Sequence, residues 1–173
     1  MRIHPEPSKR HVLSVVVDNE AGILARVAGL FTARGYNIES LAVGVSEDPA
    51  ISGMTIVTSA SSQVLEQIIA QLERLIPVHS VVNLTAQAGS VERELALLRF
   101  SGNARCILEA TEIAVNQGAR IIATAGSALV IELTGPSTAI NSIIARLRAA
   151  GDVQAARTGV VAVAGITLNA TTD

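Results

Sequence analysis

One order of predicted elements occurs twice along this chain, and that repeat limits the fold more than any other feature. Apolar β-branched runs and helical spacings predict strand, helix, strand, strand, helix and strand between residues 11 and 86. The same order returns between residues 93 and 164, with Gly126-Ser127 as a hairpin signal between two strands and VQAARTGVVAVA as the last strand. This order is typical of the ferredoxin-like βαββαβ unit, in which two helices cover one face of an antiparallel sheet. The sequence therefore predicts an α+β chain of two ferredoxin-like domains.

The boundary between the two domains is predicted in AQAGSVE, residues 86–92, where the periodicity lapses. We expect a flexible N-terminal tail over residues 1–10, a first domain over 11–86 and a second domain over 87–173. The tail has prolines and charges and no apolar stretch, so it does not read as a signal peptide. The sheet face that the helices leave open is expected to meet a second copy of the chain.

Three local patterns give sharper expectations within the first domain. The apolar alternation of YNIESLAVGVS (36–46) shifts phase by one residue, which predicts a β-bulge within a strand. The second helix keeps its apolar spacing as far as Ile76, and Pro77 is predicted to end it. Gly35 is predicted to end the first helix, because glycine readily adopts the positive φ needed there.

Composition excludes several functional classes. The net charge is −2 and aromatic residues make up 2% of the chain, so neither a basic stripe nor a stacking platform for nucleic acid is present. No apolar run approaches the roughly 20 residues that span a membrane. The single Cys106 has no cysteine to pair with inside the chain and reads as a small buried hydrophobe. These features predict a cytoplasmic protein without nucleic acid or membrane partners.

The residues that usually carry catalysis are sparse. His79 alternates with Val78 on a predicted strand, where a surface or edge position is expected. Glu92 and Glu94 share one face of a strand, yet beside Arg93 they are expected to be solvated side chains. Motifs for a metal site, a nucleophile elbow or a phosphate cradle are missing. We therefore predict no catalytic residues, no metal and no cofactor in this chain.

One loop does suggest binding. In DNEAG, Asn19 and Gly22 lie between a strand and a helix N-terminus, where unpaired N–H groups favour an anion. Asn19 offers a donor and an acceptor, which suits a ligand with both an acid and an amine, and Gly22 allows a close approach. Asn37 follows the same helix and is placed on the next strand. The alternative is that these residues only build turns.

The chain also resembles a known family. The string HVLSVVVDNEAGILARVAGLFTARGYNIESLAVG closely resembles the regulatory small subunit of acetolactate synthase, also called acetohydroxyacid synthase, which opens with an ACT domain. The resemblance continues through MTIVT, VLEQIIAQLERLIPV, VERELALLR, LVIELTG and ARTGVVAV. It covers essentially everything from His11 to about Val163. The stretches RFSGNARCILEATEI, ATAGSA and VAGI in the second half depart from the usual pattern of the family.

The resemblance implies a non-catalytic subunit in branched-chain amino acid biosynthesis. Members of the family bind a catalytic large subunit that holds thiamine diphosphate, Mg²⁺ and FAD. They raise its activity and confer feedback inhibition by valine, or by leucine or isoleucine. The effector lies between the ACT domains of a homodimer, and the matching positions here are Asn19, Gly22 and Ile23 from one chain with Asn37 and Ile38 from the other.

The second half lacks an Asp-Asn-x-x-Gly loop, so only the first half is expected to bind an effector. Two other readings stay open at the level of the sequence. One is a stand-alone ACT-domain sensor of amino acids that acts on another client protein. The other, ranked last, is an enzyme in its own right.

Overall fold

The computed structural model describes residues 7–165, which form two compact units. The first unit contains residues 7–91 and 161–165, and the second contains residues 92–160. The chain thus leaves the first unit within the predicted boundary segment and returns to it at Val161, whereas the sequence placed everything after residue 86 in the second domain. No helix among the described residues is long and apolar enough to cross a membrane.

The first unit follows the predicted order. It contains β1 (Lys9–Asp18), α1 (Ile23–Ala33), β2 (Ser40–Val45), β3 (Ile51–Ala60), α2 (Ser62–Leu72), β4 (Val78–Asn83) and a 3-10 turn (Leu84–Ala86). The four strands form an antiparallel sheet in the order β2-β3-β1-β4. Alternate residues of β1 face the helices and are buried, as expected for a sheet covered on one side. The core consists of Leu13, Val15, Val17, Ile23, Val27, Phe31, Met54, Ile56, Ala60, Leu65, Ile68 and Leu72.

The second unit repeats the arrangement. Its elements are β5 (Val91–Ser101), α3 (Ala104–Asn116), β6 (Arg120–Ala125), β7 (Ala128–Gly135), α4 (Ser137–Ala150) and β8 (Asp152–Arg157). The strands run in the order β6-β7-β5-β8, and the two-residue turn Gly126-Ser127 joins β6 to β7 as predicted. The sequence treated VQAARTGVVAVA as one strand, but β8 ends at Arg157, and β9 (Val161–Val163) lies in the first unit. Gly159, with φ of 82°, turns the chain between them.

Several local predictions for the first unit are wrong. Residues 1–6 of the predicted tail lie outside the described residues. Its last two residues, Lys9 and Arg10, are not a tail: they belong to β1 and pair with Ala60 and Ser59 of β3. The predicted bulge in residues 36–46 is absent from β2, which pairs with β3 in unbroken register. The phase shift instead marks the irregular segment that precedes the strand.

The end of α2 and the outer face of the first sheet also differ from expectation. The second helix ends at Leu72 and not at Pro77 as predicted, because two tight turns carry the chain from Leu72 past Pro77 into β4. Ile76, which was expected on the apolar face of that helix, is 97% exposed. The sheet face opposite the helices, expected to be open, is crossed by β9, whose Ala162 N–H donates to Thr55 Oγ1 at 3.4 Å.

Candidate functional site

The loop between β1 and α1 is held in place by its neighbours. The Asn19 N–H donates to the carbonyl of Ala50 at 2.7 Å, and Asn19 Nδ2 donates to the carbonyl of Pro49 at 2.9 Å. On the other side, the Asp18 N–H donates to the carbonyl of Pro77 at 2.8 Å. One of the two N–H donors of the Asn19 amide is therefore committed to the protein, and the second N–H and Oδ1 are left for a ligand.

The N-terminus of α1 is open. Gly22 precedes the helix with φ of 88°, no side chain caps it, and its first turn carries no acidic residue. A Cβ at Gly22 would have nothing within 4 Å, so a ligand can approach the backbone closely. The N–H groups of the first turn lack intrahelical acceptors, and the helix dipole adds positive charge there. The arrangement suits a carboxylate.

The helices α2 and α3 contrast with α1. Ser61 caps α2, and Asn103 caps α3 by accepting from the Cys106 N–H at 3.0 Å. Asn103 holds the position before α3 that Gly22 holds before α1, and at the preceding Gly102 a Cβ would lie 2.6 Å from Cys106 Cβ. Cys106 is half-buried against the core of the second unit. Of the helices that follow the first strand of each unit, α1 is therefore uncapped and α3 is capped.

An ion pair and a histidine–carboxylate hydrogen bond border the α1 loop. Arg26 Nη1 lies 2.9 Å from Glu20 Oε1, which engages the carboxylate that would otherwise compete for the helix N-terminus. His79 Nε2 lies 2.7 Å from Asp18 Oδ1, at the point where β1 enters the loop. Both pairs are about half exposed. The predicted surface position of His79 is confirmed by this exposure.

The remaining predicted site residues occupy different surroundings. Ile23 is buried in the core, and its backbone N–H donates to the carbonyl of Glu20 at 3.4 Å. Ile38 is half-buried against the same core. Asn37 is exposed, and its carbonyl accepts from Thr58 Oγ1 at 2.6 Å. The sequence placed Asn37 on a strand, but β2 begins only at Ser40 because the chain after α1 first crosses to the end of β3.

The structure does not bring the two halves of the predicted site together within one chain. Asp18 pairs with Ile51 at the start of β3, whereas Asn37 contacts Thr58. Seven residue steps of a strand separate Ile51 from Thr58, which is about 23 Å. The loop and Asn37 therefore lie at opposite ends of the first unit.

A buried ion pair in the second unit was missed at the level of the sequence. Glu94 is not solvated as predicted: its side chain is 4% exposed and accepts from Arg157 Nε and Nη2, both at 2.6 Å. Ser137 Oγ donates to Glu94 Oε2 at 2.9 Å, and Arg157 Nη1 donates to Asn141 Oδ1 at 2.7 Å. The sequence gives no signal for this pairing beyond the even spacing that puts Glu94 on the face of Ala96 and Leu98.

The Arg157 guanidinium holds the pKa of the Glu94 carboxyl below its usual value, and the Ser137 hydroxyl acts in the same direction, while burial opposes both. The hydrogen bonds between Arg157 and Glu94 also raise the pKa of the Arg157 guanidinium. This cluster is fully paired and ties β5, α4 and β8 together, so it reads as structural. Among residues 7–165, no group of three histidine, cysteine, aspartate or glutamate side chains could hold a metal ion.

The fold and the open loop define a two-domain α+β protein whose first domain is of the ACT type. Residues 13–80 match the family model for the ACT domain of acetohydroxyacid synthase small subunits. Residues 93–166 match the family model for the small subunit of acetolactate synthase. The chain belongs to the family of acetolactate synthase small subunits.

Curated relatives and a solved structure agree with this assignment. The chain is 44% identical to the acetolactate synthase isozyme 3 small subunit of Escherichia coli, covering 88% of this chain and 93% of that protein. It is 42% identical to the probable acetolactate synthase small subunit of Archaeoglobus fulgidus, over 88% and 95% of the two chains. The crystal structure of the acetolactate synthase small subunit from Thermotoga maritima superposes with a TM-score of 0.83 at 30% identity, over 92% of this chain and 99% of that one.

Proposed function

We propose that this chain is a non-catalytic regulatory subunit that binds the catalytic large subunit of acetolactate synthase, raises its activity and makes it sensitive to valine. Thiamine diphosphate, Mg²⁺ and FAD are expected on the large subunit. The observation that carries the regulatory assignment is the open N-terminus of α1, with Gly22 at φ of 88° and free space in front of it. The expected compartment is the cytoplasm.

The chemistry of the loop fits an α-amino acid. The N–H groups at the start of α1 would donate to the carboxylate, and Asn19 Oδ1 would accept from the ammonium group. The apolar side chain of the effector would then extend toward apolar surface. A valine, leucine or isoleucine has these three features, and a pocket separates them by only about 1–3 kcal/mol for each methylene.

A second copy of the chain would complete the site. The edge of β2 faces away from β3 and has no strand partner among the described residues. Antiparallel pairing of β2 with β2 of another copy would bring the Gly22 end of one first unit beside the Asn37 end of the other. Such a two-fold arrangement is the commonest closed assembly, and it would give two identical effector sites.

The β2 edge also has the apolar surface that such an interface needs. Val43 pairs with Met54, whose side chain is in the core, so Val43 lies on the helix side of the sheet. Val43 is 46% exposed and Val45 is 60% exposed. Leu24 on α1 is 44% exposed. Exposed apolar side chains beside an unpaired strand edge favour association with another strand.

The experiment that tests this function combines binding with reconstitution. Gly22→Asp should abolish valine binding measured by calorimetry and valine inhibition of the reconstituted large subunit, while stimulation of acetolactate formation persists. The new carboxylate would occupy the place of the ligand carboxylate. An aspartate held at the positive φ of Gly22 costs about 1–2 kcal/mol of folding free energy.

Gly126→Asp is the matched control, since Gly126 has φ of 55° and open space but lies in the second unit. It should bind valine like the wild type. A Gly22→Asp protein that stays fully sensitive to valine would rule out this loop as the effector site. Capture of a client other than the large subunit in a pulldown would favour the stand-alone sensor, and turnover of pyruvate by the chain alone would favour an enzyme.

A further inference from the structure

We propose that His79 is a positioning residue for the effector loop, which it holds by binding the carboxylate of Asp18. The inference deepens the proposed function and depends on it. Asp18 is the last residue of β1, directly before Asn19, and His79 lies at the start of β4. A contact between them therefore sets the point from which the loop departs.

The contact depends on a β-bulge in β4. Val16 pairs with Ser80 and Val17 pairs with Val78, so the two neighbours on β1 face residues that are two positions apart. His79 is the extra residue and has no pairing partner on β1. Bulges of this kind redirect a side chain and occur often beside functional sites.

The bulge decides which face His79 occupies. Val78 and Val81 both pack against the core of the first unit, although their spacing of three would put them on opposite faces of a regular strand. In a regular strand, His79 would share the core face with Val81. The bulge lets both valines face the core and turns His79 to the outer face, where Asp18 lies because it follows the buried Val17.

The geometry of the contact identifies the donor. A carboxylate only accepts hydrogen bonds, so the proton lies on His79 Nε2, which donates to Asp18 Oδ1 at 2.7 Å. This distance is within the range of charge-assisted bonds. The carbonyl of Pro77 accepts from the Asp18 N–H at 2.8 Å, so β4 holds both the backbone and the side chain of this residue.

The two sides of the loop are therefore fixed by different strands. Asn19 is tied to Pro49 and Ala50 beside β3, whereas Asp18 is tied to Pro77 and His79 beside β4. A loop held on both sides loses less conformational freedom when a ligand binds, which raises affinity without a direct contact. Losing the exposed Asp18–His79 pair should therefore weaken valine binding modestly.

The test is valine binding by calorimetry to the full-length chain and its variants. His79→Leu should weaken binding about two- to fivefold, the range expected for an exposed side-chain pair with a carboxylate. His79→Gln keeps an N–H donor at the end of the side chain and should restore most of the affinity. Ser80→Ala, next to the bulge, is the control and should bind like the wild type.

A double-mutant cycle with Asp18→Asn separates positioning from a general loss of structure. In the presence of His79→Leu, Asp18→Asn should weaken binding no further, because the pair is already lost. If His79→Leu binds like the wild type while Gly22→Asp does not bind, His79 has no positioning role and the effector site stands. If Gly22→Asp binds valine normally, the proposed effector site fails, and this inference fails with it.

Discussion

The guanidinium of Arg157 donates two hydrogen bonds of 2.6 Å to the carboxylate of Glu94, which is 4% exposed. Glu94 lies on β5 beside the start of α4, and Arg157 is the last residue of β8. The pair therefore connects the central strand of the second sheet to an edge strand at the N-terminus of a helix. Removing the cation would leave a buried carboxylate with Ser137 as its remaining side-chain donor.

We expect Arg157→Ala to lower the free energy of unfolding by about 1–3 kcal/mol, because a buried charged acceptor loses two donors. Urea denaturation followed by circular dichroism measures this loss. Arg148→Ala is the control, since Arg148 is exposed on α4 and should change stability by less than about 0.5 kcal/mol. Equal effects of the two substitutions would show that the Glu94–Arg157 pair adds nothing specific.

The same pair should make stability depend on pH in the acid range. The pKa of Glu94 is lower in the folded chain than its ordinary value, so its contribution is complete above the unfolded-state pKa, about 4.3. That contribution is lost as the pH falls through the folded-state pKa. Urea denaturation at a series of pH values below about 5 should show a steeper loss for the wild type than for Glu94→Gln. Parallel curves would contradict this prediction.

The β2 edge should control dimerisation. Val43→Lys places a charge beside the unpaired edge and should convert a dimer to a monomer at micromolar concentration, as measured by light scattering. Ile122→Lys is a matched control, because Ile122 is 47% exposed on the edge strand β6 while Val43 is 46% exposed. The Ile122 variant should stay dimeric. A dimeric Val43→Lys protein would place the interface elsewhere.

Valine should stabilise the folded chain against heat. A ligand that binds only the folded state adds about 2.7 kcal/mol at a hundredfold excess over its dissociation constant, which is a shift of about 5–10 °C for a chain of this size. Differential scanning fluorimetry with valine, alanine and aspartate measures the selectivity. Alanine and aspartate should shift the melting temperature little, and equal shifts with all three would mean that the site is not selective.

The sequence predicted the features that depend on local spacing. Apolar residues at helical intervals predicted α1, and Gly35 adopts the positive φ expected where that helix ends. The dipeptide Gly126-Ser127 predicted the β6–β7 hairpin. The Asp18–Gly22 stretch predicted a loop between a strand and a helix N-terminus, and Gly22 does lie directly before α1. Each of these signals lies within a few residues of the structure it specifies.

Tertiary structure alone decided the features that join distant residues. Glu94 and Arg157 are far apart in the chain, and strand pairing with β5 brings them together and buries the carboxylate. Packing of Val78 and Val81 into one core forces the bulge that turns His79 toward Asp18. Periodicity describes one element at a time, whereas burial and pairing depend on which elements meet. The sequence by itself therefore determined the elements and the loop, and packing decided which charged side chains were paired and which end of the sheet each candidate residue occupies.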